Sequence, residues 1–357
     1  MRTNTQEAVL PTCRRQVCLP AAAGVHRKAL AALWCKCLPK LSVPHRLTDT
    51  MSSQRVRADL ALGFCTLIWG ATFVLVKDAL AGISVFLYIA VRFSLAAVVM
   101  AALFWKAIRR LDRRTMWAGV QIGLCMFAAY AFQTMGLKWT TPAKAAFITG
   151  LCVVLVPILL AVFGRRRMSP WLWCGAGAAL AGLYLLTIPA AGLGGLNRGD
   201  VTVFGCAVMF ALHIIFIGRY AGEHSVGALA FLQVATTAAL SALLLPLLAV
   251  TGWERLRLVP SGTVVSAILI TSLGSTVIGF SFQTWAQRHT SASHTAILVS
   301  LEPVFAALTS WLLARERFGA RTLAGAGLIL AGILIAELMG PAPAALESPE
   351  PVVAAEG

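Results

Sequence analysis

Two ionisable residues stand where charge is expensive. Glu302 lies about ten residues into the apolar run 293–314, or ~15 Å by helical rise. Arg92 lies about eight residues into the run 84–105, or ~12 Å measured from the opposite side. Both runs are long enough to cross a bilayer, and a lone charge at such depth costs roughly 2.5–3.5 kcal/mol on insertion scales. Two chemistries account for them. A Glu302–Arg92 ion pair would relieve both charges and fix two helices; alternatively, one or both meet a charged solute or a coupling proton. Pro303 follows Glu302, and Pro157 lies within 143–163. A proline inside a helix frees a carbonyl, and interrupted segments in both halves of a membrane chain point to a binding site.

Other polar residues are paired by position. Gln133 and Gln283 lie just inside their runs, suited either to interhelical hydrogen bonds or to a cavity wall. Lys144 and His294 stand at run entrances, where they either snorkel to headgroups or gate opposite faces. His213 is expected to hydrogen-bond a neighbouring helix, although its imidazole also suits titration near neutral pH. Trp69 and Tyr130 fit a cavity wall or an aromatic belt equally.

Catalytic chemistry finds little support. Asp59, Asp78, Asp112 and Asp200 sit at run ends, so no aspartyl pair lies at depth, and neither a serine–histidine pair nor a P-loop stands out. No cofactor is expected. Five of the nine cysteines (Cys65, Cys125, Cys152, Cys174 and Cys206) lie singly in apolar runs, as small packing residues. Cys35 and Cys37 are too close together and too isolated for a zinc site, and no metal is expected.

The elements that must carry these residues are membrane helices. The chain is 59% apolar and only 12% charged, with a mean hydropathy of +0.80. Its net charge of +16 resides in a tail and short loops, without the interleaved aromatics of a nucleic-acid surface. Ten spans are predicted, at 60–77, 84–105, 116–136, 143–163, 171–190, 201–218, 226–250, 262–284, 293–314 and 322–339. None alternates with the period of a barrel strand. Residues 1–58 form a basic extension, expected to be disordered, within which Met51 reads as a translation start; 340–357 read as a disordered Pro/Ala/Glu-rich tail. Arg55, Arg57, Lys106 to Arg114 and Arg165 to Arg167 fall on one side of the first five spans, placing both termini in the cytoplasm. In the second half the bias reverses, with Arg198, Arg255, Arg257 and Arg321 on the other side.

An internal repeat explains the reversal. A shift of 150 residues sets Phe132-Gln133-Thr134 on Phe282-Gln283-Thr284, Lys144 on His294, and Gly175, Gly177 and Gly182 on Gly325, Gly327 and Gly332. A shift of 141 sets Asp59 on Asp200, Cys65 on Cys206 and Trp69 on Phe210. Five crossings per copy invert the second, so 59–190 and 199–339 are expected as inverted five-helix repeats, the plan of many secondary transporters. Glu302 aligns with Cys152, so its charge breaks the symmetry. Pro157 would align with Ala307, about one turn from Pro303, so the prolines correspond only approximately.

On these residues the chain resembles the EamA-type permeases of the drug/metabolite transporter superfamily. The resemblance rests on L-I-W-G-A-T-F (67–73), F-I-T-G-L-C-V-V-L-V-P (147–157), G-D (199–200), S-L-E-P-V-F-A-A-L (300–308) and A-G-A-G-L-I-L-A-G (324–332). Phe210-Ala211 stand where a second Trp-Gly pair would repeat 69–70. The resemblance implies an all-α polytopic protein of ten transmembrane helices, with helices one to four and six to nine around a cavity and five and ten peripheral. It implies a carrier that exports an amino-acid-like or toxic solute across a bacterial inner membrane. Proton or other ion coupling and a homodimer are compatible with it. A channel or a flippase for lipid-linked molecules could use the same scaffold.

Overall fold

The structure, a computed structural model, describes residues 53–140, 142–163, 168–188, 197–305, 308 and 319–339. The basic extension through residue 52, the tail from 340 and most of the ninth expected span beyond Phe305 lie outside them. The described chain is helical: α1 (Ser53–Ala79), α2 (Val85–Leu103), α3 (Trp105–Ile108), α4 (Arg113–Gly136), α5 (Pro142–Gly150), α6 (Cys152–Phe163), α7 (Pro170–Thr187), α8 (Arg198–Tyr220), α9 (Val226–Val250), α10 (Gly262–Leu269), α11 (Gly279–Ala286), α12 (Ala292–Val299) and α13 (Ala320–Met339). A π-helical segment, Ile270–Ile278, joins α10 to α11. Among the described residues seven helices are long and apolar enough to cross a membrane, and Pro170–Leu186 and Ala320–Ala336 are shorter apolar helices.

Helix ends are set by local chemistry. Asn197 and Asp200 form a capping box at the start of α8, and Ser169 followed by Pro170 opens α7. The Asp112 side chain accepts from the Thr115 backbone N–H at 3.2 Å, and its carboxyl is held below its usual value by hydrogen bonds from Thr115. Between these ends the helices carry apolar side chains on all sides. Leu60, Val98, Leu243 and Leu334 are exposed, as suits helices bathed in lipid.

Packing follows the repeat. Helix α4 packs on α8, and the segments from α10 to α11 pack on α1, the partner combination under the shifts; α2 packs on α9 and α7 on α13. At the first of these contacts a Cβ on Gly136 would lie 2.5 Å from Val203 and 3.0 Å from the Gly199 carbonyl. The equivalent residues Ala286, Ala58 and Leu62 pack in one cluster at the other. The crossing of α7 and α13 is reciprocal. A Cβ on Gly175 would lie 2.7 Å from the Gly332 oxygen, and one on Gly332 2.6 Å from the Gly175 oxygen. Gly182 and Gly325 exchange the same close approach, at 2.6 and 2.7 Å. Since 175 meets 332 and 182 meets 325, the two equivalent helices run antiparallel. Gly177 and Gly327, the remaining glycine of each triplet, have open space around them.

Connections are tied down at one end by Glu254. Gly252, at φ +71°, takes up the left-handed conformation that ends α9 and turns the chain back. Glu254 then accepts from the backbone N–H groups of Val85 (2.6 Å) and Phe86 (3.0 Å), capping α2 from another segment, with Lys138 Nζ at 3.8 Å. An antiparallel bridge between Ile83 and Leu258 fastens the same two loops. Replacing Glu254 with Ala strands two helix-terminal donors. It is expected to lower stability by about 1–3 kcal/mol, measured as a fall in thermal unfolding temperature in detergent micelles. Two arginines of the second half's reversed bias are also held by protein. Arg198 lies 4.3 Å over the Trp139 ring, and Arg321 lies 5.5 Å over Tyr184 while donating to the Ile188 carbonyl.

Candidate functional site

Arg92 organises the centre of the molecule. It is 3% exposed, and its guanidinium lies 4.7 Å over the Tyr130 ring. Its Nε donates to Thr276 Oγ1 at 3.0 Å, and its Nη2 donates to Ser275 Oγ at 2.9 Å and Tyr130 Oη at 3.3 Å. The ion pair with Glu302, one of the two readings of these charges, is not made: among the described residues the ion pairs within 4.0 Å are Lys138–Glu254 and His294–Asp59. Hydroxyl groups and an aromatic face satisfy Arg92 instead, so Glu302 is not its structural partner.

Two of those hydroxyls, Ser275 and Thr276, come from the π-helical segment. Thr276 Oγ1 donates to the Thr271 carbonyl five residues back, at 2.8 Å, in keeping with the widened turn. Thr271 also meets Tyr88 at 2.8 Å. Trp69 Nε1 donates to the Ser275 carbonyl at 2.9 Å, and this approach depends on Gly279, where a Cβ would stand 2.7 Å from Nε1. Arg92→Lys leaves an ammonium that cannot span Thr276, Ser275 and Tyr130 together. The expected loss is about 1–3 kcal/mol of stability, read from the same thermal unfolding assay.

Around Arg92 lies a cavity. Trp69 and Phe73 come from α1, Tyr130 and Gln133 from α4, Phe210 and His213 from α8, and Phe280 and Gln283 from α11. Glu302 completes the wall; it is half-buried and makes no hydrogen bond or ion pair among the described residues. The aromatic rings pack edge to face: Tyr130–Phe210 centroids are 5.3 Å apart and His213–Phe280 5.7 Å. Seven of the nine side chains singled out from sequence meet here, namely Glu302, Arg92, Trp69, Tyr130, Gln133, His213 and Gln283. His294 does not; it lies beyond the cavity, its Nε2 3.2 Å from Asp59 Oδ1. The Lys144 side chain lies outside those described.

Helix breaks frame the wall, one close to Pro303 and the other away from Pro157. Pro157 is internal to α6, and the interruption falls six residues earlier at Leu151, where Leu151 N–H bonds the Ile148 carbonyl in a tightened turn. The second break lies at Ser300 and Leu301, directly before Pro303, with the same bond pattern back to Ile297 and Leu298. Leu151 and Leu301 are equivalent under the 150 shift. The breaks therefore obey the repeat although the prolines do not.

The cavity is one-sided. At its middle, equivalent positions from both repeats face it: Thr72 and His213, Gln133 and Gln283, Cys152 and Glu302. Further out, Val76, Thr134 and Leu137 line it, toward the C-terminal ends of α1 and α4. Their equivalents Ile217, Thr284 and Gln287 are absent from its wall, although both sets of side chains are buried. That end is closed by side-chain hydrogen bonds. Gln287 Nε2 donates to the Ile214 carbonyl at 2.8 Å, Gln283 Nε2 to Gln287 Oε1 at 3.1 Å, and Gln233 links His213 (2.7 Å) to Thr284 (2.9 Å). Gln133 reaches Thr149 across helices at 3.4 Å.

The expected wall of spans one to four and six to nine is drawn here from all of them except α9, which supplies Gln233 behind His213. Ser275 and Phe280 are not singled out by the sequence, and Phe210 only as the shift partner of Trp69. The hydroxyl-rich stretch T-S-L-G-S-T (271–276) was the available signal for the first.

Known proteins resemble this chain. A chain of known crystal structure superposes with a TM-score of 0.65 at 22% identity, covering 82% of this chain and 99% of that one, which speaks for the fold. An uncharacterized transporter of Archaeoglobus fulgidus is 34% identical over 307 residues, covering 85% of this chain and 92% of that protein. The uncharacterized transporter YyaM of Bacillus subtilis is 26% identical over 285 residues, with 78% and 92% covered. The model of the EamA-like transporter family matches twice, at residues 57–188 and 197–338, the two halves found by the internal shifts. A doubled match over most of the chain, a fold shared along its length and a central cavity between the halves make this multi-pass membrane protein a member of the EamA-like transporter family.

Proposed function

We propose that the protein is a secondary transporter of ten membrane-crossing helices in two inverted repeats. It exports a small amino-acid-like or toxic solute across a bacterial cytoplasmic membrane by alternating access. The observation that carries this reading is the one-sided cavity: repeat-equivalent residues line it at mid-depth, while only the first repeat lines it further out. Inverted repeats that exchange conformations would close the Val76–Leu137 end and open the Ile217–Gln287 end. With the N-terminus in the cytoplasm, the present cavity extends toward the outer face. Glu302 offers an anion to a cationic group on the solute, and the aromatic walls take its apolar part. Metabolite profiling of cells lacking and overexpressing the protein tests the proposal. Export predicts a solute that accumulates inside the first and appears in the medium of the second; unchanged profiles in both contradict it.

A further inference from the structure

Two hydrogen-bond chains run to the cavity floor, and the direction of each is fixed by a backbone carbonyl, which can only accept. The first starts at Ile214. Its oxygen takes a proton from Gln287 Nε2 (2.8 Å), so Gln287 turns Oε1 to Gln283 Nε2 (3.1 Å). That leaves Gln283 Oε1, buried and without a partner among the described residues, in a residue of the cavity wall. The second starts at Phe280. Its oxygen takes the Thr284 hydroxyl proton (2.6 Å), so Thr284 accepts from Gln233 Nε2 (2.9 Å), and Gln233 Oε1 accepts from His213 Nε2 (2.7 Å). With the proton on Nε2, the neutral imidazole carries a lone pair at Nδ1. His213 Nδ1 is likewise buried, without a partner among the described residues, and belongs to a residue of the wall. Glu302 adds a third acceptor to the same cavity and has no cation within 4.0 Å among the described residues. Buried polar atoms left unmatched are costly, and both chains leave the same deficit, a missing donor.

We infer that the cavity recognises a primary ammonium group, whose three N–H donors meet Glu302, Gln283 Oε1 and His213 Nδ1. This deepens the transporter reading and rests on it. A quaternary ammonium could gain from the aromatic walls but has no N–H to offer Gln283 or His213. The ammonium can belong to a free amine or to an amino acid, whose carboxylate would then meet Arg92.

Equilibrium binding to the full chain in lipid nanodiscs separates these cases. The probes are n-butylammonium, N,N,N-trimethylbutylammonium, butanol, butyrate and norleucine. The expected order puts butylammonium at least about tenfold tighter than its trimethyl analogue and than butanol, the loss of charge-assisted hydrogen bonds. Norleucine binding tighter than butylammonium assigns the group to an amino acid; weaker binding assigns it to an amine. Gln283→Leu should erase the preference for the primary amine, and Gln283→Glu should keep it. The trimethyl compound binding as tightly as butylammonium, or butyrate binding in place of both amines, overturns the assignment. If Gln283→Leu does not fold, the wild-type series alone decides. Amine binding without flux in proteoliposomes sinks the transporter reading and leaves the ammonium site standing. Flux of a solute lacking N–H groups, with no amine bound, does the reverse.

Discussion

Glu302→Gln is expected to cut solute affinity about 10- to 100-fold, the worth of a charge-assisted hydrogen bond, while leaving the fold's stability within about 0.5 kcal/mol. The two halves of that expectation come from one fact: Glu302 lines the cavity and has no ion-pair partner within 4.0 Å among the described residues. Glutamine keeps the shape and removes the charge. Had Glu302 been the structural partner of Arg92, the same substitution would strand a buried cation and cost roughly 3–5 kcal/mol. Thermal unfolding and solute binding on one purified variant therefore separate a functional acid from a structural one. Lost binding with an unchanged melting temperature is the predicted pair of results.

Stability should depend on the glycines where α7 meets α13. Alanine at Gly182 or Gly325 would bring a methyl carbon to 2.6 or 2.7 Å of a backbone oxygen, a contact that neither rigid helix can relieve by rotating a side chain. Each substitution is expected to cost about 1–3 kcal/mol, and valine more. Gly177 and Gly327 belong to the same sequence triplets but have open space, so alanine there should be neutral or gain up to about 1 kcal/mol from helix propensity. Four single variants compared by thermal unfolding test the crossing. Equal losses at all four positions would mean that the reciprocal approach is not what holds these helices together.

Much of this architecture was readable before any coordinates. Apolar runs of about 20 residues announce membrane helices because the bilayer demands that length. The repeat was readable because F-Q-T and the glycine triplet recur at one offset. The glycine pattern also anticipated close contact, but only two of each three positions serve it. Which faces look inward was not readable. Lipid is as apolar as a protein core, so the helices show little contrast between buried and exposed sides. Trp69 and Tyr130 were therefore open to two placements, and Phe280 was lost among apolar neighbours. The break at Leu151 escaped for another reason. Proline marks a carbonyl that must be freed but not where the helix yields, and here α6 absorbs Pro157 within its length. The π-helical segment depends on Arg92 and Trp69, contributed from distant parts of the chain, and no local pattern of 270–278 requires it. Hydrogen-bond direction at the cavity floor is likewise a tertiary property, set by the carbonyls of Ile214 and Phe280.

In the proposed mechanism a solute crosses by exchange of the cavity between two faces. Counterflow in proteoliposomes tests this most directly: vesicles loaded with unlabelled solute found by efflux profiling are given a trace of the labelled solute outside. The prediction is a transient, saturable accumulation of label above equilibrium, lost in Glu302→Gln. Label that only equilibrates, at a rate linear in concentration, would contradict alternating access and mark the cavity as a channel.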